Sequence, residues 1–199
     1  LHNAWEKSAI VGELMTNGAM AELMAALLGC DEITLFQDGV VWKPPFGGED
    51  IPWHQDFGYW PLSAPRAITI WMALDEASVA SGCLHFIPGT HRMGERRPAR
   101  FGQGAPVTRG DLPAIDAERH LADVVALEMP AGHALVHHPL VWHHSPPNRT
   151  AHPRRGLFAN WIAPDVVWAP ERANHPLLYR ARPVAGERPR GALFPTFRI

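Results

Sequence analysis

From Asp31 to about residue 163 the sequence is a series of short apolar runs separated by Pro, Gly and Asn residues. Turn residues at such regular intervals are typical of consecutive β-strands rather than of alternating strands and helices. A chain with this pattern is expected to fold into a mainly β, two-sheet jelly roll, also called a double-stranded β-helix. We predict strands near residues 32–37, 39–44, 66–74, 83–88, 123–129, 133–138 and 156–163.

The residues before this region have a helical pattern. Over residues 3–29, apolar side chains recur at spacings of three and four, with a break near Asn17-Gly18, and Gly29 is a plausible helix stop. These helices are expected on one outer face of the jelly roll. Residues 92–122 and 164–199 are rich in Pro, Arg and Gly and have weak periodicity, so they are predicted to form loops, a lid or an extended tail.

No linker divides the chain, and 199 residues fit one domain. We therefore predict a single domain over 1–199, with a helical part at 3–29, a jelly-roll core at about 32–163 and a C-terminal tail at 164–199. Since residue 1 is Leu rather than Met, we expect that the native chain starts earlier.

Charge and composition narrow the class of partner. With 18 basic and 20 acidic residues, the chain has no net basic field to attract nucleic acid or an anionic membrane. It has no apolar stretch long enough for a membrane span and no secretion signal at its start. The two cysteines are far apart and suggest neither a disulfide framework nor a thiolate metal site. We expect a cytoplasmic monomer or homodimer that binds a small-molecule substrate.

Two parts of the sequence could together supply the ligands of a metal ion. His54 and Asp56 are two positions apart, and in a strand their side chains would point to the same side. About 90 residues later, the segment from Gly132 to Asn148 is rich in histidine. Two imidazoles and one carboxylate suit non-haem iron(II) with open coordination positions. A His-x-Asp pair alone is weak evidence, because it also occurs by chance in solvated turns.

Spacing alone does not identify the second histidine. His143 precedes Arg154 by eleven residues, and His144 precedes Arg155 by the same interval. Neighbouring residues on a strand face opposite sides, so the two pairs are alternatives at this stage.

Four sequence blocks, in this order, resemble the phytanoyl-CoA dioxygenase family of iron(II)- and 2-oxoglutarate-dependent oxygenases, and they span about residues 33–163. They are Lys43-Pro44-Pro45, Trp53-His54-Gln55-Asp56, Ser81-Gly82-Cys83-Leu84 with Ile87-Pro88-Gly89-Thr90-His91, and His138-Pro139-Leu140 with His143-x-Ser145-x-x-Asn148.

The resemblance implies that the iron ligands are His54, Asp56 and His143, because the family's His-Gly-Ser-x-x-Asn pattern selects His143. It also implies that Arg154 pairs with the distal carboxylate of 2-oxoglutarate. The planar, permanently charged guanidinium suits that role, since it can donate two parallel hydrogen bonds to a carboxylate.

Four more residues match family positions around the cosubstrate. Trp71 and Lys43 match positions close to 2-oxoglutarate, although a Trp in an apolar strand is more often part of the core. Ser145 and Asn148 could hold the ligand strand and the arginine in place, or could simply form a turn.

The activity implied by the resemblance uses Fe(II), 2-oxoglutarate and O2 to hydroxylate an unactivated C–H bond of a small-molecule metabolite, releasing succinate and CO2. The same oxidative chemistry can also give desaturation, cyclisation or epimerisation. Two other classes are alternatives: a non-catalytic jelly-roll module that binds a metal or ligand, and a zinc-dependent hydrolase or isomerase.

The remaining histidines carry separate predictions. His144 stands where the family usually has Gly, and we expect it to face the substrate or to contact a ligand side chain. His137, His138, His133 and His91 are expected to pack in or near strands with hydrogen bonds to the backbone rather than to bind metal.

Substrate contacts are expected from loops 57–66, 92–122 and 164–199. The aromatic residues that could line a pocket there, or pack in the core instead, are Phe57, Tyr59, Trp60, Phe101, Trp142 and Trp168.

Overall fold

Two antiparallel sheets form the body of the computed structural model, which describes residues 2–100 and 111–199. The five-stranded sheet has the order β6-β3-β8-β1-β9 and the four-stranded sheet has the order β2-β7-β4-β5. The predicted jelly roll is confirmed. The strands are β1 (Glu32–Lys43), β2 (Ile51–His54), β3 (Ala67–Ala73), β4 (Leu84–Ile87), β5 (Val125–Leu127), β6 (Ala134–His137), β7 (Trp142–Ser145), β8 (Arg154–Ile162) and β9 (Thr196–Arg198).

Strand β1 is one long strand where the sequence predicts two. Its pairing with β8 shifts between Leu35 and Gln37, which places Phe36 at a β-bulge. A bulge adds one residue to one strand and interrupts the alternation of faces. As a result Leu35 and Phe36 are both buried, in different clusters of the core, and Gln37 lines the interior cavity.

The predicted helices cover the outer face of the five-stranded sheet. A 3-10 turn at Ala4–Glu6 precedes α1 (Ala9–Met15) and α2 (Gly18–Leu28). The Asn17 side chain caps α2 by accepting a hydrogen bond from Ala19 N (2.9 Å). Gly29 ends α2 in a left-handed conformation with φ of 66°. The buried side chains of these helices pack against the outward-facing apolar residues of the sheet, which include Ile33, Leu35, Ile68, Leu157 and Trp161.

The C-terminal segment is not the extended tail that its composition suggests. It contains a 3-10 turn at Pro170–Arg172 and helix α3 (Pro176–Ala181), and it ends in β9, which pairs with β1. Trp168, Leu177 and Phe194 are buried together against Phe36. The structure contradicts only the extended-tail part of the prediction, because a few widely spaced apolar anchors order the segment and produce no periodic pattern in the sequence.

The segment before β5 has some local structure. Its described residues include 3-10 turns at Thr90–Met93 and Ala117–Asp123. Across the described parts of the chain, no helix has both the length and the apolar character that crossing a membrane requires.

Candidate active site

A cavity of about 420 Å³ lies between the two sheets. A volume of this order suits a small-molecule ligand. Its polar lining includes a cluster of imidazoles around Asp56, the buried guanidinium of Arg154, and a row of uncharged side chains, Thr69, Asn160 and Gln37. The intervening wall is apolar and includes Val41, Ile51 and Leu84.

The three predicted ligands meet at one end of this cavity. His54 is the last residue of β2 and pairs across the sheet with His143 on β7. The Asp56 Oδ1 atom lies 3.4 Å from His143 Nε2 and 3.8 Å from His54 Nε2. One possible ligand atom from each of the three residues lies within 4.8 Å of the others. The arrangement is compact enough for a single ion to contact all three.

The local backbone structure at Asp56 differs from the one expected. It does not lie on the strand with His54 but begins a 3-10 turn at Asp56–Tyr59. The chain leaves the sheet after Gln55, and the turn brings the carboxylate back towards the two imidazoles. The expectation of two side chains projecting from one strand face is therefore corrected.

The two imidazoles are held so that their Nε2 atoms face the carboxylate. His54 Nδ1 lies 2.9 Å from the carbonyl oxygen of Pro52, and His143 Nδ1 lies 3.1 Å from that of Val141. A carbonyl oxygen can only accept, so each Nδ1 carries the proton and each Nε2 has its lone pair available. Outer hydrogen bonds of this kind commonly orient metal-binding histidines.

The electrostatics favour the protonation states that a metal needs. Burial lowers the pKa of His54 to about 3, with a further contribution from His143. Burial raises the pKa of Asp56, but the surrounding imidazole groups, that of His143 foremost, lower it by more, so it lies below its usual range. Neutral imidazoles and an ionised carboxylate form a donor set that suits iron(II).

His137 is a site residue that the sequence reasoning missed. Its Nδ1 atom contacts the carbonyl oxygen of His138 at 3.3 Å, a backbone contact of the expected kind. However, its ring lines the cavity, and its Nε2 atom lies 3.9 Å from Asp56 Oδ2. Burial lowers its pKa to about 4. The sequence carries no signal for this role, which depends on the pairing of His137 with Thr69, a residue that also lines the cavity.

His91, His133, His138 and His144 do not line the cavity. His138 Nδ1 accepts a hydrogen bond from Leu140 N at 3.1 Å, and its ring lies beside His91. His133 is exposed. His144 points to the opposite side of β7, where its Nε2 lies 2.9 Å from Asp50 Oδ1 and its ring stacks on Trp53. The expectation that His144 faces the substrate or a ligand is corrected, because adjacent strand residues face opposite sides.

Arg154 is buried in the cavity wall, with an exposed fraction of 1%. Its guanidinium donates hydrogen bonds to Ser145 Oγ (2.7 Å) and to the carbonyl oxygen of Gly82, and it lies over the Trp71 ring at 5.2 Å. Its Nε atom has no hydrogen-bond partner, and no carboxylate of the described residues pairs with it. Burial lowers its pKa to about 10, so it remains a cation at neutral pH. A buried cation without a counterion is costly, so this site suits an anionic ligand.

Arg155 has the opposite environment. It points away from the cavity and forms a two-pronged ion pair with Asp75, with distances of 2.8 Å from Nε to Oδ2 and 2.7 Å from Nη2 to Oδ1. The structure thus brings His143 and Arg154 into one cavity and leaves His144 and Arg155 outside it.

Ser145 lines the cavity and links the arginine to a neighbouring loop. Its hydroxyl accepts from Arg154 and donates to the Gly82 carbonyl oxygen at 2.9 Å. Gly82 has φ of 81°, and a Cβ atom there would lie 2.3 Å from the Pro146 carbonyl oxygen. This close backbone approach requires glycine and places the acceptor that Ser145 and Arg154 share.

Lys43 and Asn148 do not line the cavity but support its wall. Lys43 Nζ donates to the carbonyl oxygens of Glu49 (2.6 Å) and Ser145 (3.0 Å), and burial, followed by repulsion from Arg154, lowers its pKa to about 8. The Asn148 amide donates to the carbonyl oxygens of Pro44 (3.0 Å) and His152 (2.7 Å). Both residues therefore fix the loops on either side of Ser145.

Gln55, between the two ligands of the first block, fixes a different loop. Its amide nitrogen donates to the carbonyl oxygens of Leu140 (2.7 Å) and Gly94 (3.0 Å), and its oxygen accepts from Arg96 N (2.7 Å). The side chain thereby joins the turn that carries Asp56 to the chain before β7 and to the loop after β4.

The aromatic candidates divide between cavity and core. Tyr59 and Trp60 line the cavity, and the Tyr59 hydroxyl donates to the Ala99 carbonyl oxygen (2.6 Å). Phe57, Trp142 and Trp168 are buried in the apolar core instead, and Phe101 lies outside the described residues. Each of the three predicted loops contributes at least one wall residue, such as Tyr59, Arg100 and His175.

The position of the Trp71 ring depends on Gly156, which faces it. A Cβ atom on Gly156 would lie 2.1 Å from the Trp71 ring, so Gly156→Ala should push the indole away from Arg154. We expect this substitution to lower the free energy of unfolding by about 1–3 kcal/mol and to weaken the binding of an anionic ligand at Arg154. Denaturant unfolding would measure the first effect. Gly18→Ala is the matched control, because open space surrounds Gly18 and its stability should not fall. Equal stability of the two variants would contradict the prediction.

Comparisons with known proteins identify the family of the chain. The family model described as phytanoyl-CoA dioxygenase (PhyH) matches residues 2–156. A phytanoyl-CoA dioxygenase from Arabidopsis thaliana is 30% identical over 148 residues, which cover 73% of this chain and 50% of that protein. The chain spans about half the length of the first curated relatives that it matches.

Two solved structures share the fold. The epimerase SnoN, in complex with Fe3+, alpha ketoglutarate and nogalamycin RO, has a TM-score of 0.78 at 23% identity, covering 100% of this chain and 77% of that one. EctD from S. alaskensis with bound Fe has a TM-score of 0.71 at 26% identity, covering 97% of this chain and 68% of that one.

Proposed function

The chain belongs to the phytanoyl-CoA dioxygenase family, and from this membership we propose that it is an iron(II)- and 2-oxoglutarate-dependent oxygenase that hydroxylates a C–H bond of a small molecule. One observation carries the proposal. A compact set of two imidazoles and a carboxylate shares a cavity with a buried arginine that has no carboxylate partner in the described structure.

The three ligand residues would hold iron(II) through His54 Nε2, His143 Nε2 and the Asp56 carboxylate. Their backbone hydrogen bonds fix both imidazoles before the metal binds. Thr69 Oγ1 donates to Asp56 Oδ2 at 2.8 Å, which holds the carboxylate with Oδ1 towards the imidazoles. Three protein ligands leave coordination positions open for other molecules.

Arg154 would bind the distal carboxylate of 2-oxoglutarate, with Ser145 and Trp71 holding the guanidinium in place. Charge-assisted hydrogen bonds to a carboxylate are the strong class, and a buried site does not screen them as water would. When iron and 2-oxoglutarate are bound, they supply the oxidation, in which O2 is consumed and 2-oxoglutarate becomes succinate and CO2. The apolar wall keeps bulk water away from that reaction.

The direct test is succinate formation by the purified protein supplied with iron(II), 2-oxoglutarate and O2. We expect succinate only when all three are present, and we expect zinc in place of iron(II) to abolish it. Succinate formation with iron(II) separates an oxygenase from a zinc hydrolase or isomerase, since a hydrolase consumes neither O2 nor 2-oxoglutarate and forms no succinate. Failure to form succinate above a protein-free control, with iron bound, would contradict the proposal and would favour a non-catalytic binding module.

A further inference from the structure

A continuous chain of side-chain hydrogen bonds runs along the cavity wall from the proposed metal site. Thr69 Oγ1 donates to Asp56 Oδ2 at 2.8 Å, and Asn160 Nδ2 donates to Thr69 Oγ1 at 2.8 Å. Gln37 Nε2 then donates to Asn160 Oδ1 at 2.9 Å. All four residues line the cavity.

Asp56 fixes the direction of every bond in this chain. Its carboxylate only accepts at neutral pH, so the Thr69 hydroxyl must donate to it. Thr69 can then only accept from its other neighbour, so Asn160 must present its NH2 group to Thr69 and its oxygen to Gln37. By the same logic Gln37 must present its NH2 group to Asn160. The amide orientations follow from the network and not from an arbitrary choice between oxygen and nitrogen.

This arrangement leaves one buried acceptor beside the cavity without a hydrogen-bond partner. The Gln37 side chain has an exposed fraction of 5%, lines the cavity and has no hydrogen-bond partner for Oε1. Buried polar atoms are nearly always hydrogen-bonded, and an unsatisfied one calls for an explanation such as a missing ligand. The NH2 group of Gln37 already donates to Asn160, so the amide cannot be turned around. The partner that Oε1 lacks must therefore be a hydrogen-bond donor.

The surroundings indicate that this donor is uncharged. His175 also lines this part of the cavity, and its Nδ1 accepts from Leu177 N at 3.2 Å, so its proton lies on Nε2. Burial lowers the pKa of His175 to about 4, which keeps it neutral. Apart from Asp56, no described residue that lines the cavity has a carboxylate to pair with an ammonium group, and Arg100 would repel one.

We propose that Gln37 is a specificity-determining residue whose Oε1 atom accepts a hydrogen bond from an uncharged O–H or N–H group of the substrate. The proposal rests on the function proposed above. Thr69, Asn160 and Gln37 lie on the adjacent strands β3, β8 and β1, where Thr69 pairs with Asn160 and Asn160 with Gln37. Two strand spacings amount to roughly 10 Å. The substrate is therefore a small molecule with a hydroxyl or amide N–H about that far from the metal-binding end.

Two probes that differ only in this donor test the proposal: 4-fluorophenol, and its methyl ether 4-fluoroanisole. Their dissociation constants would be measured by equilibrium dialysis under nitrogen, with iron(II) and 2-oxoglutarate present. We expect the wild type to bind the phenol about tenfold more tightly, the size of one hydrogen bond to an otherwise unsatisfied buried acceptor. In Gln37→Met, which keeps the length of the side chain without its acceptor, the two constants should be nearly equal.

His144→Ala is the matched control, because His144 lies outside the cavity, and it should keep the wild-type ratio. Equal affinity of the wild type for both probes would overturn the proposal, and so would a Gln37→Met variant that still prefers the phenol. The wild-type comparison can overturn the proposal even if the Met variant does not fold.

Repeating the dialysis without iron(II) and 2-oxoglutarate separates the two proposals. The hydrogen-bond chain begins at a carboxylate that is present with or without metal, so the preference for the phenol should persist. A protein that shows this preference but forms no succinate would contradict the proposed function alone. A protein that forms succinate without the preference would contradict the role of Gln37 alone.

Discussion

Replacing His143 with Ala is expected to weaken iron(II) binding by at least about 100-fold, so that the purified variant retains almost no iron after dialysis. Substitutions that only disturb the orientation of a ligand cost about 10- to 100-fold in metal affinity, and loss of a ligand should cost no less. Iron content by metal analysis and succinate formation would both be measured. Both should fall together, because the metal is needed for the oxidation.

His144→Ala is the control for this experiment. The two residues are neighbours on β7, but His144 contacts Asp50 and Trp53 on the outer face. Its replacement should leave iron content near the wild-type value and cost at most about 1 kcal/mol of stability, as for an exposed ion pair. A result in which the His144 variant loses iron and the His143 variant keeps it would show that the assignment of the ligand is reversed.

Replacing Arg154 with Met is expected to weaken 2-oxoglutarate binding by at least about 100-fold. Hydrogen bonds to charged groups contribute about 1.5–3 kcal/mol each, and the arginine would donate two to the distal carboxylate. The protein itself should not become less stable, because an apolar side chain replaces a buried cation that lacks a counterion. Calorimetric titration with 2-oxoglutarate on the iron-loaded protein under nitrogen would measure the affinity, and thermal unfolding without 2-oxoglutarate would measure the stability.

Arg155→Met provides the matched comparison. It removes the outer ion pair with Asp75 and leaves the cavity unchanged, so 2-oxoglutarate affinity should stay within about twofold of the wild type. Equal weakening in both variants would mean that the cosubstrate is not held by the inward-facing arginine.

The general architecture could be predicted from the sequence because most of its strands carry a periodic apolar signal. The ranges predicted for β3, β4, β5 and β6 each contain the observed strand, and both helix signals at Asn17 and Gly29 mark observed helix ends. These features are local: each depends on residues that are close together in the chain.

Strands β2 and β7, which carry His54 and His143, have no such periodic apolar signal. Strands β2 and β7 have four residues each, and their polar and aromatic side chains do not alternate as those of a half-buried strand do. The sequence pointed to His54, Asp56 and His143 through the order of family blocks rather than through periodicity. The turn that places Asp56 depends on contacts with residues far along the chain, such as that of Phe57 N with the Pro139 carbonyl oxygen (3.2 Å).

The roles of Gln37 and His137 were also invisible in the sequence. Gln37 faces the cavity because the bulge at Phe36 shifts the alternation of side chains along β1. His137 lies in the cavity wall because its strand pairs with β3, where Thr69 is its partner. A bulge and a pairing partner are set by neighbouring strands, and a single sequence does not report either of them.

Two side-chain contacts on the outer face of β7 and β8 help to preserve the geometry of the candidate site. A slip of either strand by one position would exchange the inner and outer neighbours, removing His143 or Arg154 from the interior. His144 with Asp50 and Arg155 with Asp75 fasten these two strands from the solvent side. These polar contacts on the outer surface therefore help to keep both strands in the register that points His143 and Arg154 into the cavity.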